Sequence, residues 1–522
     1  MGAPITAPEY KEIHGVVWIS RTCKGQHREV RINQGGTTKR NALVLIVFTI
    51  KDGSFFWPLC TFLLPEKEEI MSKQTQETGG APKWSGSFGF IMAAAGSAVG
   101  MGNLWRFPML VGESGGGAFV LVYLICIFLV GIPLIIAEIS IGRAGGKDAF
   151  GSYKALNAKW GGVDILAVIT SFIGLSYYAV LGGWVIRYIF VSVTGLPESS
   201  EAFFMSFTGN TGSQVIYYLV FMVITVAIVV MGIQKGIEKS CKIMMPLLIV
   251  CLIVIVIRSC TLPGAGEGIK FFLKPDFSKL TPGAFLSALG QVFFSLSLGT
   301  GATITYGAYL GKNQNIPKSA VSIAFFDTMV AMIAGFAILP AVFAFGFSPT
   351  SGPSLMFQTL PAVFDEMTGG KIFGVVFFVL VLFAAVSTSI AFLEVVVSFA
   401  VNTFKVSRAK ASVISAVLIT CLGIPCALSF GIWSDIKIAG KTFFDLGDYL
   451  VSNVSLPIGG ILACIFIGWV WKSKNAEKEV TNEGKISFKL VSVWSVLIKF
   501  VLPVVIFIIF VTSNPWIIDL FQ

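Results

Sequence analysis

Charge is what this sequence has little of. Only 13% of its 522 residues are Asp, Glu, Lys or Arg, against 55% hydrophobic; a water-soluble domain runs near 25% charged. The imbalance excludes a string of soluble domains and points to a helical protein that crosses a membrane many times. Histidine is scarcer still. His14 and His27 are the only two, both far upstream of the apolar spans, so those spans hold no His-based metal or catalytic site. The nine cysteines lie mostly inside apolar runs and form no CxxC pair. Cys421 and Cys426 are too widely spaced for a redox motif and read as buried thiols. No nucleophile–base pair stands in the spans, which argues against an enzyme. The net charge of +10 comes from basic residues scattered through loops, as orientation in a membrane requires, and is not a nucleic-acid signal.

Within the apolar part, one stretch breaks the rules of a spanning helix: GSAVGMGNLWRFP, Gly96 to Pro108. Each glycine weakens a helix by roughly 1 kcal/mol relative to alanine. Gly96, Gly100 and Gly102 crowd the middle of this one. Bare backbone at membrane depth survives only where it lines a cavity or binds something. Asn103 and Arg106 follow at once, and a cation in a span is costly unless it has a task. A glycine-lined packing face between helices explains the glycines but not these two polar residues.

Taken in order, residues 1–70 do not match the rest. They carry scattered charges and one apolar run, Ala42–Ile50, too short to span. The expectation is a disordered segment or a misassigned upstream extension, with 71–83 a short cytoplasmic tail. Eleven apolar spans follow, at 86–108, 117–142, 163–192, 214–232, 241–260, 284–309, 317–346, 372–403, 409–430, 446–471 and 490–512. The basic loops Arg143–Lys159, Lys235–Lys242, Lys405–Lys410 and Lys472–Lys489 fall on one side, which places the amino end in the cytoplasm and the carboxyl end outside.

The sixth span repeats the oddity of the first. GQVFFSLSLGTGATITYGAYL puts Gly299 and Gly301 at its centre, with Ser295, Ser297, Thr300 and Thr303 around them. Two glycine-broken spans, five apart, are the mark of an inverted repeat with a substrate site between its halves. The expected fold is therefore all-α, a 5+5 inverted repeat with broken helices 1 and 6. Residues 84–310 hold the first repeat and the start of the second, 311–472 the remainder of the second, and 473–522 a linker and span 11. A channel would need a continuous polar lining, and the sequence offers one convergent midplane site instead.

GSAVGMGNLWRFP, the following GESGGGAFVLVY and IPLIIAEISIGR, the sixth-span sequence, and AAVSTSIAFLE in the eighth span together resemble the neurotransmitter:sodium symporter family. The resemblance is greatest to its bacterial amino-acid transporters, which share the leucine-transporter fold and often have eleven spans. It implies a symporter in the bacterial cytoplasmic (inner) membrane, importing a hydrophobic or aromatic α-amino acid with two Na+ ions. The first sodium would be held by Ala98, Asn103, Ser295 and Asp327 with the substrate carboxylate. The second would be held by Gly96, Val99, Ala384, Ser387 and Thr388. All are oxygen ligands, as a hard cation needs. The substrate carboxylate would meet Gly100, Met101 and Tyr178, and its amino group Ala98, Phe294 and Ser297. Gly174, Leu181, Thr300, Ala391 and Phe392 would complete the pocket, and Arg106 with Asp448 the outer gate.

The residues alone leave other roles open. Ser387 and Thr388 are equally suited to bonding back to their own helix, and Tyr178 to packing. Glu138 and Glu394 read as structural acids. Asp327 read on its own could be a protonated carboxyl. The family's inner ion pair falls on Ala81 and Asn402, which cannot form it. Asp327 stands where chloride-dependent relatives carry asparagine, so chloride independence is expected.

Overall fold

The computed structural model describes the segments 9–13, 16–23, 26–33 and 43–45, and residues 83–517 apart from 164, 196, 198, 348–354 and 515. The chain forms two units, Met1–Gly80 and Ala81–Gln522. In the first, four strands, Glu9–Ile13, Val16–Cys23, Gln26–Asn33 and Leu43–Leu45, pair antiparallel in chain order. At those residues the strands stand where a disordered segment was expected; the rest of that stretch lies outside the described residues.

The second unit is helical. Among its described residues nine helices are long and apolar enough to cross a membrane, which takes about 20 apolar residues for a core about 30 Å thick. They are not equally enclosed. The helices Ala158–Thr194 and Gly370–Phe404 have 72% of their most apolar window buried, whereas Val491–Thr512 has 22%. The first two therefore form the centre and the last lies at the edge. Outward-facing Phe128, Val223 and Ile257, each more than half exposed, suit hydrocarbon, not water.

The expected first and sixth spans are absent from the nine because both are interrupted. The first runs as Ser87–Ala98, a single turn Met101–Leu104, and Arg106–Glu113. Val99 and Gly100 between the first two pieces are extended. The second runs as Pro282–Ser295 and Ala302–Ala308, with Leu296–Gly301 unwound. Here Ser297, Gly299 and Gly301 have φ of 53°, 79° and 79°. Each break frees backbone groups that must find partners. The Gly100 amide donates to Asn103 Oδ1 at 3.1 Å. The Gly299 amide donates to Glu138 Oε1 at 2.8 Å, and Ser171 Oγ donates to the Thr300 carbonyl at 2.8 Å. Glu138, fully buried, thus serves the second break, as read from the sequence.

Candidate functional site

The two breaks face each other. Ser297 Oγ from the second donates to the Ser97 carbonyl at the first, at 2.9 Å. Thr388 Oγ1, from the central helix Gly370–Phe404, donates to the same carbonyl at 3.3 Å. The Met101 amide, freed by the first break, donates to the Tyr178 hydroxyl at 3.1 Å. A narrow cavity lies between these elements. Of the residues expected around the substrate, Ala98, Gly100, Tyr178, Phe294, Ser297, Thr300 and Phe392 line it. Met101 takes part through its amide. Gly174, Leu181 and Ala391 are buried but do not line it.

Gly174 was expected to help complete the pocket. A Cβ there would stand 3.4 Å from the Phe392 ring, so the space is filled by Phe392, which itself faces the cavity. Sequence reasoning missed Gly102, Tyr177, Val451 and Leu456, which also line it. Tyr177 had a signal, since it adjoins Tyr178. Val451 and Leu456 had none, being ordinary aliphatics in an apolar helix.

At one wall of the cavity three polar side chains from distant parts of the chain converge. Asn103 Nδ2 donates to Asp327 Oδ1 at 2.8 Å and to Ser295 Oγ at 3.0 Å. The Ser295 hydroxyl lies 2.9 and 2.8 Å from the two Asp327 oxygens. Tyr123 OH donates to Asp327 Oδ2 at 3.4 Å. Asp327 is wholly buried, and no Lys or Arg among the described residues pairs with it within 4.0 Å. A buried acid without a counter-ion costs several kcal/mol. A cation is the partner such a group calls for. Neutral oxygen donors around one carboxylate form a set that suits a hard monovalent ion.

The expected second ion site is assembled in part. Gly96 packs on Ser387, where a Cβ would fall 3.2 Å from the Ser387 Cβ. Ser387 Oγ donates along its own helix to the Ala384 carbonyl at 3.0 Å, the back-bonding alternative. Thr388 instead reaches across to the first break. Val99, fully buried, lies in the break itself.

The outer pair is not closed as an ion pair. Arg106 lies over the Phe294 ring, 4.8 Å from its centroid, and no ion pair within 4.0 Å joins it to Asp448. Asp448 accepts from Ser452 Oγ at 3.0 Å. Asn402, one of the two positions of the family's inner ion pair, donates to Asp148 at 2.5 Å, so it is committed elsewhere. Tethers at that end lie on other residues. Glu238 accepts from the Ser85 amide at 3.0 Å and pairs with Lys242 at 2.6 Å. Glu479 holds Arg143 at 2.6 Å and Lys312 at 2.9 Å. Glu394 pairs with Arg408 and accepts from Tyr309 OH.

Comparison with known proteins agrees with this geometry. The chain matches the sodium:neurotransmitter symporter family over residues 81–203 and 202–517. A sodium-dependent transporter of Bacillus subtilis (strain 168) whose role is uncharacterised is 42% identical over 435 residues, covering 82% of this chain and 96% of that one. A similar transporter of Methanocaldococcus jannaschii is 34% identical over 447 residues, covering 81% and 88%. Among solved structures, MhsT in complex with L-phenylalanine is 43% identical, with a TM-score of 0.77 over 83% of this chain and all of that one. With its broken helices, its cavity and these relatives, which are transporters and not enzymes, the chain belongs to the sodium:neurotransmitter symporter family.

Proposed function

We propose that this protein imports a hydrophobic or aromatic α-amino acid together with two sodium ions, without chloride. The observation that carries the reading is the cavity between the two breaks, walled on one side by the Asn103–Ser295–Asp327 cluster. A substrate carboxylate at the Gly100 and Met101 amides would meet N–H groups at a helix start, which favours an anion. It would also lie close enough to complete the first sodium site. Gly100 brings no acid of its own, so the carboxylate comes from the substrate. Phe392, Phe294 and Tyr178 give aromatic walls against which a ring stacks. The phenylalanine bound by MhsT supports that substrate class.

In this reading the chain crosses the membrane eleven times as a 5+5 inverted repeat with its amino end in the cytoplasm. The first, second, sixth and seventh spans rock against the rest. Each sodium moved inward gains about 2.3 kcal/mol per 100 mV. Asn103 gives N–H from Nδ2 to Asp327 while its Oδ1 accepts from the Gly100 amide; the second lone pair of that oxygen is the one it would offer to sodium. Asp327 brings its own negative charge. A chloride about 5 Å away would be disfavoured by a few kcal/mol at an effective dielectric near 20.

The test is uptake of labelled phenylalanine, tyrosine and leucine into proteoliposomes under a sodium gradient, in chloride and in gluconate. Uptake should need sodium and persist in gluconate. Tyramine and tryptamine should compete at least tenfold more weakly than the parent amino acids. Asp327→Asn should lower sodium affinity at least tenfold, or become chloride-stimulated. Native uptake that stops in gluconate defeats the charge argument, and equal competition by the amines defeats the carboxylate argument.

A further inference from the structure

The family's inner ion pair falls on Ala81 and Asn402 in this chain, and neither carries a charge. The start of the first broken helix is held by other groups. Residues Lys83, Trp84 and Ser85, just ahead of the helix Ser87–Ala98, are gripped on two sides. On one side the Trp84 amide donates to the Tyr309 carbonyl at 3.3 Å, and the Trp84 indole Nε1 to the Tyr306 carbonyl at 2.9 Å. On the other stands the helix Ile233–Cys260. Its Glu238 accepts from the Ser85 amide at 3.0 Å and from the Ser85 hydroxyl. Its Gln234 Nε2 donates to the Lys83 carbonyl at 2.7 Å.

Glu238 is 2% exposed, and a buried carboxylate is tolerated only when it is paired and hydrogen-bonded. Lys242, one turn further on, supplies the charge at 2.6 Å and also donates to Ser85 Oγ at 3.2 Å. Gly86, at the start of the helix Ser87–Ala98, has no side chain to cap it. The Glu238 charge stands beside that start, where the positive end of the helix dipole favours an anion. Gly89 makes the room, since a Cβ there would overlap the Glu238 carboxylate. Gly89 lies inside the helix, where alanine is the better residue, so space and not backbone freedom is what calls for glycine.

The two grips join different things. In the reading given above, the first, second, sixth and seventh spans rock against the rest. Trp84 is held by the second broken helix, which moves with the first. Glu238 and Gln234 belong to a helix that does not, so their bonds cross the moving boundary. We propose that Glu238 is a positioning residue for transport, holding the first broken helix closed against the helix Ile233–Cys260 in place of the missing ion pair. The site opens at this end when the Ser85–Glu238 bonds part. The inference rests on the rocking reading. Closure also hides Cys241, fully buried on the same helix as Glu238. Its Sγ lies 3.5 Å from where a Cβ on Gly96 would stand, so swinging the helix Ser87–Ala98 away bares this thiol.

The experiment is N-ethylmaleimide labelling of Cys241 in the full chain in proteoliposomes, followed by peptide mass spectrometry, without sodium and with saturating sodium and L-phenylalanine. It compares the native chain with Glu238→Ala, Glu238→Gln and Gly89→Ala, at positions that do not line the substrate cavity. Without sodium, Glu238→Ala should label at least tenfold faster than the native chain. Glu238→Gln should label about threefold faster, since its amide oxygen still accepts from Ser85. Gly89→Ala displaces the carboxylate and should label at least fivefold faster, with a melting temperature level with or above the native one. Sodium with phenylalanine favours the closed form and should slow labelling in every chain. Native rates in Gly89→Ala and in the folded Glu238 variants overturn the proposal, and leave the rocking reading standing if the native chain responds to sodium and phenylalanine. Fast labelling that sodium and phenylalanine fail to slow in the variants is local exposure, and overturns it as well. A native chain whose Cys241 labelling ignores both ligands overturns the rocking reading and the proposal together.

Discussion

The two broken helices look alike in sequence but use their glycines differently. In the first, Gly100 is extended at φ −113°, a conformation open to any residue. Gly102 lies within a helical turn. What these positions need is space. A Cβ on Gly102 would sit 2.5 Å from the Phe294 ring, and one on Gly100 would sit 3.0 Å from Thr388 Oγ1 and 3.1 Å from Tyr178 OH. In the second break Gly299 and Gly301 stand at φ 79°, where an L-residue is strained by about 1–2 kcal/mol. Their neighbours also include structure that cannot step aside: a Cβ on Gly299 would meet the Leu456 carbonyl oxygen at 2.5 Å. The first break is held open for side chains that line the cavity. The second is held in shape by its own backbone.

That contrast predicts a graded series. Gly299→Ala should have the largest effect. It adds left-handed strain, drives a methyl into backbone, and disturbs the amide that bonds Glu138. Transport should fall at least a hundredfold and the melting temperature with it. A Gly299→Ala protein with normal uptake would show that the second break tolerates ordinary backbone, and the contrast would be lost. Gly102→Ala comes next. The obstacle there is the edge of a ring, and Phe294 can swing away, leaving its place under Arg106. Substrate affinity should fall about tenfold, read by scintillation proximity binding, with melting temperature almost unchanged. A large loss of stability with unchanged affinity would mean that Gly102 serves packing alone.

How much of this was legible beforehand follows from the same physics. Glycines in an apolar run announce a break, because little else there tolerates them. The length and spacing of the apolar runs announce membrane helices. Asn103, Ser295 and Asp327 lie far apart along the chain, and no local pattern joins them; the resemblance supplied that grouping. The sequence did not reveal that Ser297, a non-glycine, adopts φ 53°, since its stabilising bond goes to Ser97 across the cavity. That Phe392 takes part of the room beside Gly174 was expected, but how much of it was not. Volume is shared between helices, and a single helix does not show who takes it. The Arg106–Asp448 distance is likewise a property of two helices at once, whereas each charge by itself was plain.

Gly100→Ala should give the smallest effect and is the sharpest test of the contrast. Its φ is one that alanine adopts freely, so no backbone strain arises. Replacing glycine where the conformation permits stabilises a fold by about 0.4–1 kcal/mol, through the lost freedom of the unfolded chain. Against this stand two contacts tighter than usual, both with hydroxyl groups at the ends of side chains. Thr388 can turn about one bond. The Tyr178 hydroxyl can shift by a few tenths of an ångström, at the expense of its bond from the Met101 amide. Stability should therefore stay level or rise slightly. Substrate affinity should fall about two- to fivefold, because the displaced hydroxyl and amide are those assigned to the carboxylate. Sodium affinity measured without substrate should change less than substrate affinity does. Thermal melting and binding measured on one preparation decide it. A fall in melting temperature comparable to that of Gly299→Ala would place Gly100 with the backbone glycines and erase the distinction between the two breaks.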